Sequence, residues 1–393
     1  MPARLTATFV TCLLAAAAAI GGCGGGSRAS APRTSTGRTG TLTLPTLKRG
    51  HARESDIYSH AGAGDVAPAI AGDPALVYVP NSMSNTVTVI SQRTFKIVRT
   101  FAVGGLPQHV TPAWNLRTLY VDNDLGNSLT PIDPRTGKPG RQIPVEDPYN
   151  LYFTPDGRFA IVVAERLQRL DFRNPHTFRL IHSLSVPQCA GVDHMDFSAD
   201  GRYAFASCEF AGRMIKIDLQ TQRVVGTLTL ADSHLSPGNY RTGPQDVKLA
   251  PDGKVLYTAD MNSNGIWEID PVTFRVIGFL HTGAGAHGLY PSRNARYLYV
   301  SNRSAGTISV VSFKSRHVVA TWTIPPPASP DMGGVSADGS TLWLSGRYNA
   351  EVYAINTRTG RLRARIPVGL GPHGLCVWPQ PGRYSLGHTG ITR

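Results

Sequence analysis

One unit returns along most of this chain: an alternating apolar strand, a short polar turn and a second alternating strand. Its clearest copy is Tyr299-Val300-Ser301-Asn302-Arg303-Ser304-Ala305-Gly306-Thr307-Ile308-Ser309-Val310-Val311. Alternation with period two means that one sheet face is buried. Further copies occupy residues 78–90, 120–132, 257–269 and 342–355, with weaker ones at 159–172 and 204–217. The matching positions Val79, Val121, Val162, Ala206, Thr258, Val300 and Leu344 are 42, 41, 44, 52, 42 and 44 residues apart. A unit of that length holds four short strands, cannot bury its apolar face alone and must stack on its neighbours.

Four strands per unit make the blade of a β-propeller. The first two strands are joined in four units by an Asp-Gly turn, as in Thr154-Pro155-Asp156-Gly157, Ser198-Ala199-Asp200-Gly201, Ala250-Pro251-Asp252-Gly253 and Ser336-Ala337-Asp338-Gly339. Asp-Gly supplies the positive φ of a tight hairpin. Seven second-strand positions predict an all-β fold: a seven-bladed β-propeller of four-stranded antiparallel blades over residues 61–393. The segment Gly374-Leu375-Cys376-Val377-Trp378 reads as an inner strand with no blade after it. It closes the ring by pairing with the N-terminal blade; residues 66–71 are the competing candidate for that strand. Closure removes the open edges on which sheets aggregate.

The segments Tyr299-Val300-Ser301-Asn302, Tyr78-Val79-Pro80-Asn81 and Tyr120-Val121-Asp122-Asn123 resemble the Tyr-Val-Thr-Asn motif of the bacterial YVTN-type β-propeller repeat proteins. The third letter departs from Thr in all three. The resemblance covers roughly residues 66–378 and implies the scaffold, not an activity, because propellers host unrelated functions.

Residues 1–22 read as a targeting segment, with Arg4 ahead of an apolar run at residues 11–20 that is too short to span a membrane. Ile20-Gly21-Gly22-Cys23 resembles a bacterial lipobox, which makes Cys23 the lipidated residue. An ordinary cleaved signal is the alternative. Residues 23–60, rich in Gly, Ser, Thr, Pro and Arg, form a flexible tether. The expected location is the bacterial cell envelope, lipid-anchored on the outer side of the cytoplasmic membrane, or else secreted. The membrane is then one partner.

The formal charge of +13 is spread over Arg-rich turns. A polyanion or nucleic acid is therefore a weak candidate partner, since basic and aromatic residues are not interleaved as single-strand binders require. In an oxidising compartment Cys189 and Cys208, at one rim of one blade, predict a disulfide. Cys376 alternates with apolar neighbours and predicts a buried thiol. Trp114, Trp267, Trp322 and Trp343 read as packing between blades.

A propeller delivers the start of every inner strand to one face, around the central channel. Those starts carry His109, Asn150, Asp193, His194, Asp246, His287, Asp331 and His373. Hairpin tips on the same face add Asn81, Asn123, Asp124, Glu209, Asp260, Asn302 and Arg303. Imidazoles with carboxylates suit a divalent metal, with His109, His194, His287 and His373 as its ligands. Mutual pairing that closes a wet channel is the competing reading. Residues 231–243 depart furthest from the repeat and read as either a lid carrying His234 and Tyr240 or a tolerated insertion. His388, in the tail, is a weaker further ligand.

The sequence holds no Gly-x-Ser-x-Gly elbow, no phosphate-cradling loop and no haem-attachment motif. The expected function is a monomeric binding protein that takes a small ligand or partner protein on its channel face. The alternative is a metal-dependent hydrolase or oxidoreductase with its metal at the channel mouth.

Overall fold

A computed structural model describes residues 56–233 and 242–393. Cys23, the targeting segment and nearly all of the tether lie outside the described residues, as do His234 and Tyr240. Seven antiparallel sheets follow one another in chain order around a ring. Each of blades 3 to 7 is one run of four consecutive strands. Blade 5, for example, is Pro244–Leu249, Leu256–Asp260, Gly265–Asp270 and Arg275–His281. Among the described residues the only helical element is a 3-10 turn, Pro68–Ile70.

The sequence pattern explains the layering. Inner strands such as Pro107–Pro112 and Val192–Phe197 are buried at every residue, because they face the channel on one edge and neighbouring blades on both faces. Outer strands such as Ile97–Ala102 are exposed along most of their length. The apolar residues between them form seven separate clusters, each lying between two blades. Trp267 and Trp343 are wholly buried in two of these, whereas Trp114 is half-buried and stacks on Tyr384. The Asp-Gly turns form as expected, with φ near 70° at Gly157, Gly201, Gly253 and Gly339.

Cys376–Trp378 pairs antiparallel with Leu76–Asn81 and so completes the first blade. Residue 66 makes only isolated bridges, to Pro381 and Gly382. Trp378 locks this closure: it is fully buried and its indole Nε1 donates to Asp73 Oδ2 at 2.9 Å. Cys189 and Cys208 form a disulfide, and Cys376 is a buried thiol.

The Asn of the recurrent motif has a structural task. Asn81 donates to Thr86 and Thr88, Asn123 to Ser128 and Thr130, and Asn302 to Thr307 and Ser309. In each case one amide staples the second strand to the third. These three tips therefore hold the blade rather than face a ligand. Asp260 does the same in blade 5, accepting from the Trp267 indole at 2.8 Å and from the Gly243 amide.

After Trp378 the chain crosses the far end of the channel. Ser385–Gly387 pairs with Ile391–Thr392 and meets the inner edge of blade 3 at Tyr152. Arg393 is buried, donates to Asp196 Oδ1 at 2.9 Å and lies over the Tyr58 ring. Tyr58 itself donates to the carbonyl of Leu249, so residues just ahead of the ring pack under blade 5. A cavity of about 50 Å³ remains between Lys248, Tyr290, Arg293, Gln380 and the returning tail. The channel is therefore plugged at this end by the tail.

Candidate functional site

Five inner strands share an irregularity at their start. The ladder to the second strand skips two residues between Pro107 and Val110, Val192 and Met195, Pro244 and Val247, Ala286 and Leu289, and Pro330 and Gly333. The skipped residues are Gln108-His109, Asp193-His194, Gln245-Asp246, His287-Gly288 and Asp331-Met332. A bulge frees a pair of residues from the ladder and re-aims their side chains. Second-strand serines satisfy the freed backbone: Ser207 Oγ accepts from the His194 amide, Ser301 Oγ from Gly288 and Ser345 Oγ from Met332. Ser301 is the third letter of the motif, and the other two are its counterparts in blades 4 and 7. The departure from Thr thus falls on a residue that holds the site.

The result is a cluster of five imidazoles. Ring centroids are 5.5 Å apart for His109 and His194, 4.9 Å for His109 and His373, and 6.0 Å for His287 and His373. The fifth ring is His388, the weaker candidate of the sequence. It reaches the cluster from the tail, 4.9 Å from His194 and 5.1 Å from His109, and stacks on Tyr152. The repeat cannot reveal it, because the tail lies outside every repeat. All five are essentially withdrawn from solvent.

The cluster divides in two. His109, His194 and His388 each offer a ligand atom within 4.8 Å of the other two, and so do His287, Asp331 and His373. The four-histidine set expected from the sequence is thus shared between two neighbouring groups. In the second group Asp331 Oδ1 lies 3.1 Å from His287 Nδ1, and Oδ2 lies 3.6 Å from His373 Nε2. Arg303 also holds that carboxylate, with Nε and Nη2 donating to Oδ1 at 2.9 and 2.6 Å.

Two candidates are engaged elsewhere. Asp246 accepts from the backbone amides of Val247 and Leu289 and pairs with Lys248 Nζ at 3.0 Å. Its carboxylate ties blade 5 to blade 6. Asn150 caps its neighbour Leu151 and contacts His388 Nδ1. Asp193 is different: buried, it places Oδ1 2.6 Å from His194 Nδ1.

Burial governs the electrostatics. Desolvation lowers all five histidines below their ordinary range, His194 to about 4, which leaves them neutral with a lone pair available. Nearer the solvent stand Glu165 and Glu209. Burial first, then the neighbouring acids Asp193 and Glu209, pushes Glu165 up to about 8. Burial and Asp193 push Glu209 up to about 7. Around them the hairpin tips carry exposed apolar residues: Met83, Leu125, Leu167, Phe210 and Tyr348.

The family model for YncE-like β-propellers matches residues 59–179 and 241–381. The chain belongs to the YncE-like β-propeller family. No curated protein matches its sequence. By structure it is similar to Kuenenia stuttgartiensis hydrazine synthase, at 18% identity and TM-score 0.62, over 80% of this chain and 100% of that one. It is also similar to the dihydro-heme d1 dehydrogenase NirN, at 16% identity and TM-score 0.57, over 84% and 77% of the two chains. Virginiamycin B lyase from Staphylococcus aureus matches at 14% identity and TM-score 0.56, over 69% and 88%. At these identities the likeness is one of fold alone. Within the YncE-like ring, any chemistry rests with the side chains that the bulged inner strands and the tail bring to the centre.

Proposed function

We propose that the protein is an extracytoplasmic binding protein, anchored through Cys23 to the outer side of the cytoplasmic membrane, that takes its ligand at the channel. One observation carries this reading: buried polar atoms without hydrogen-bond partners gather at this place. They include His109 Nε2, Asp193 Oδ2, His194 Nε2, Asp331 Oδ2, His373 Nδ1 and His388 Nε2. A buried polar atom left unpaired costs about 1–3 kcal/mol, so such a concentration favours a bound group that satisfies it. The exposed apolar tips around the mouth suit a ligand or partner with an apolar body. The disulfide fits an oxidising compartment.

A second reading, a metal-dependent hydrolase or oxidoreductase, is favoured by Glu209, whose carboxyl at about 7 is in the range of a general base. Turnover of an ester or lactone that is abolished by Glu209→Gln would support it.

Native mass spectrometry of the full-length protein, extracted from its own membrane in mild detergent, tests the leading reading. The wild type is expected to retain a non-covalent mass that the His109→Gln/His287→Gln variant loses. A wild type without any such mass, or the same mass on both proteins, overturns it.

A further inference from the structure

The three imidazoles His109, His194 and His388 share an arrangement that the second group lacks. Each has a polar group against its Nδ1 and its Nε2 without a hydrogen-bond partner. His109 Nδ1 donates to the carbonyl of Tyr149 at 2.8 Å. His194 Nδ1 faces Asp193 Oδ1 at 2.6 Å. His388 Nδ1 lies against the Asn150 amide, 3.1 Å from Nδ2 and 3.4 Å from Oδ1, so this amide fixes the ring by donating to Nδ1 or, turned, by accepting from it. The nearest carboxylate to His388 Nε2, Asp246 Oδ1, is 3.9 Å away and already engaged by Lys248. A carbonyl, a carboxylate and an amide thus occupy the positions that metal-binding histidines give to orienting partners. With Nδ1 carrying the proton, Nε2 of His109 and of His194 holds a lone pair; His388 offers the same on Nε2 once its proton sits on Nδ1 against Asn150 Oδ1, and each of the three rings has a ligand atom within 4.8 Å of the others.

We propose that His109, His194 and His388 bind one divalent first-row transition-metal ion, of the Zn²⁺ or Cu²⁺ kind, through their Nε2 atoms. The inference rests on the reading of the channel as the binding site and names its ligand. The donor set selects the class: three neutral imidazoles suit Zn²⁺, Cu²⁺ or Ni²⁺, whereas Ca²⁺ and Mg²⁺ require oxygen ligands. Charge selects between the two groups. The carboxylate of the second is already paired with the Arg303 guanidinium, and a fixed cation beside that site opposes another. Beside the first, the fixed cation is Lys248, which is bonded to Asp246 and not to any of the three ligands; neither Asp193 oxygen has a cationic hydrogen-bond partner, and Asp193 raises both Glu165 and Glu209.

Packing supports the same point. A Cβ on Gly374 would collide with Cδ2 of His109, so a residue with no side chain is required where the His109 ring stands. His388 is held with φ of 54° between Gly387 and Gly390, and its amide donates to Leu151 at 2.8 Å. A non-glycine residue in that region costs about 1–3 kcal/mol unless its surroundings fix it. The site also couples distant parts of the chain, since blades 2 and 4 supply two ligands and the tail supplies the third. Metal should therefore bind only the closed ring, and its binding should stabilise that ring.

Isothermal titration of the metal-stripped full-length protein with Zn²⁺, and in parallel with Mg²⁺, tests the proposal. One Zn²⁺ per chain is expected, with no heat from Mg²⁺. His109→Ala, His194→Ala and His388→Ala should each weaken Zn²⁺ binding by roughly 100-fold, and His287→Ala by less than about 5-fold. Asn150→Ala, which removes no ligand, should weaken it by about 10-fold. Co²⁺ should give visible d–d bands in the wild type that are lost in His388→Ala. Absence of Zn²⁺ binding by the wild type overturns the proposal. So does a site that depends on His287 and His373 but not on His388. An organic mass retained in native spectra without any metal would overturn the metal assignment and leave the channel reading standing; neither mass nor metal would remove both.

Discussion

Removing the disulfide is expected to cost about 3 kcal/mol. Cys189 and Cys208 are 19 residues apart in sequence. Cross-linking a loop of that length lowers the entropy of the unfolded chain by about 11 cal/mol/K, or about 3 kcal/mol at 25 °C. Both sulfurs are wholly buried, in a cluster with Val192, Met195 and Phe197. A Cys189→Ala/Cys208→Ala variant therefore loses some packing as well, and avoids new free thiols. With an m-value of about 3 kcal/mol/M, the urea midpoint should fall by roughly 1 M at unchanged slope. Tryptophan fluorescence follows the transition. A midpoint shift below about 0.3 M would refute the loop-closure argument, because the loop length alone sets most of the magnitude. The bridge also stands just ahead of the bulge carrying Asp193 and His194, so the same variant should bind Zn²⁺ more weakly.

Three further outcomes are expected. Trp378→Ala should destabilise by about 4 kcal/mol in the same urea assay, since it empties a fully buried site in the closing strand and strips Asp73 of its donor; a loss below about 1 kcal/mol would show that this strand does not close the ring. Glu165→Gln should stabilise the metal-free protein. Its carboxyl is raised to about 8 in the fold, so the wild type loses stability as pH rises from the unfolded value near 4.5 to 8, and the gain should grow across that window and level off above it; a gain independent of pH would contradict the assignment. Gly374→Ala should displace the His109 ring and lower Zn²⁺ affinity by at least about 10-fold in calorimetry, with the blades intact by circular dichroism.

The architecture is legible in the sequence because it repeats. The Tyr-Val motif, the Asp-Gly turns and the orphan strand at residues 374–378 each encode a local rule, and together they allow one ring. Most of the site is legible for a related reason: any residue at the start of an inner strand must face the channel. What the repeat does not convey is which of those residues are free. Asp246 reads like Asp193 in sequence, yet it is consumed by two amides and Lys248. Asp331 is claimed by Arg303 from the adjacent tip. The bulges are also invisible to a period-two pattern, because the second-strand serines that hold them look like ordinary strand residues. His388 is the least accessible, since its place depends on how the last twelve residues, from Gly382 to Arg393, fold back beneath blade 3.

The most direct measurement is anomalous diffraction at the zinc absorption edge from crystals of the full-length protein grown with Zn²⁺. One strong peak is expected within bonding distance of His109 Nε2, His194 Nε2 and His388 Nε2, with none of comparable height between His287 and His373. A channel without a peak, or a peak held by His287, Asp331 and His373, would contradict it.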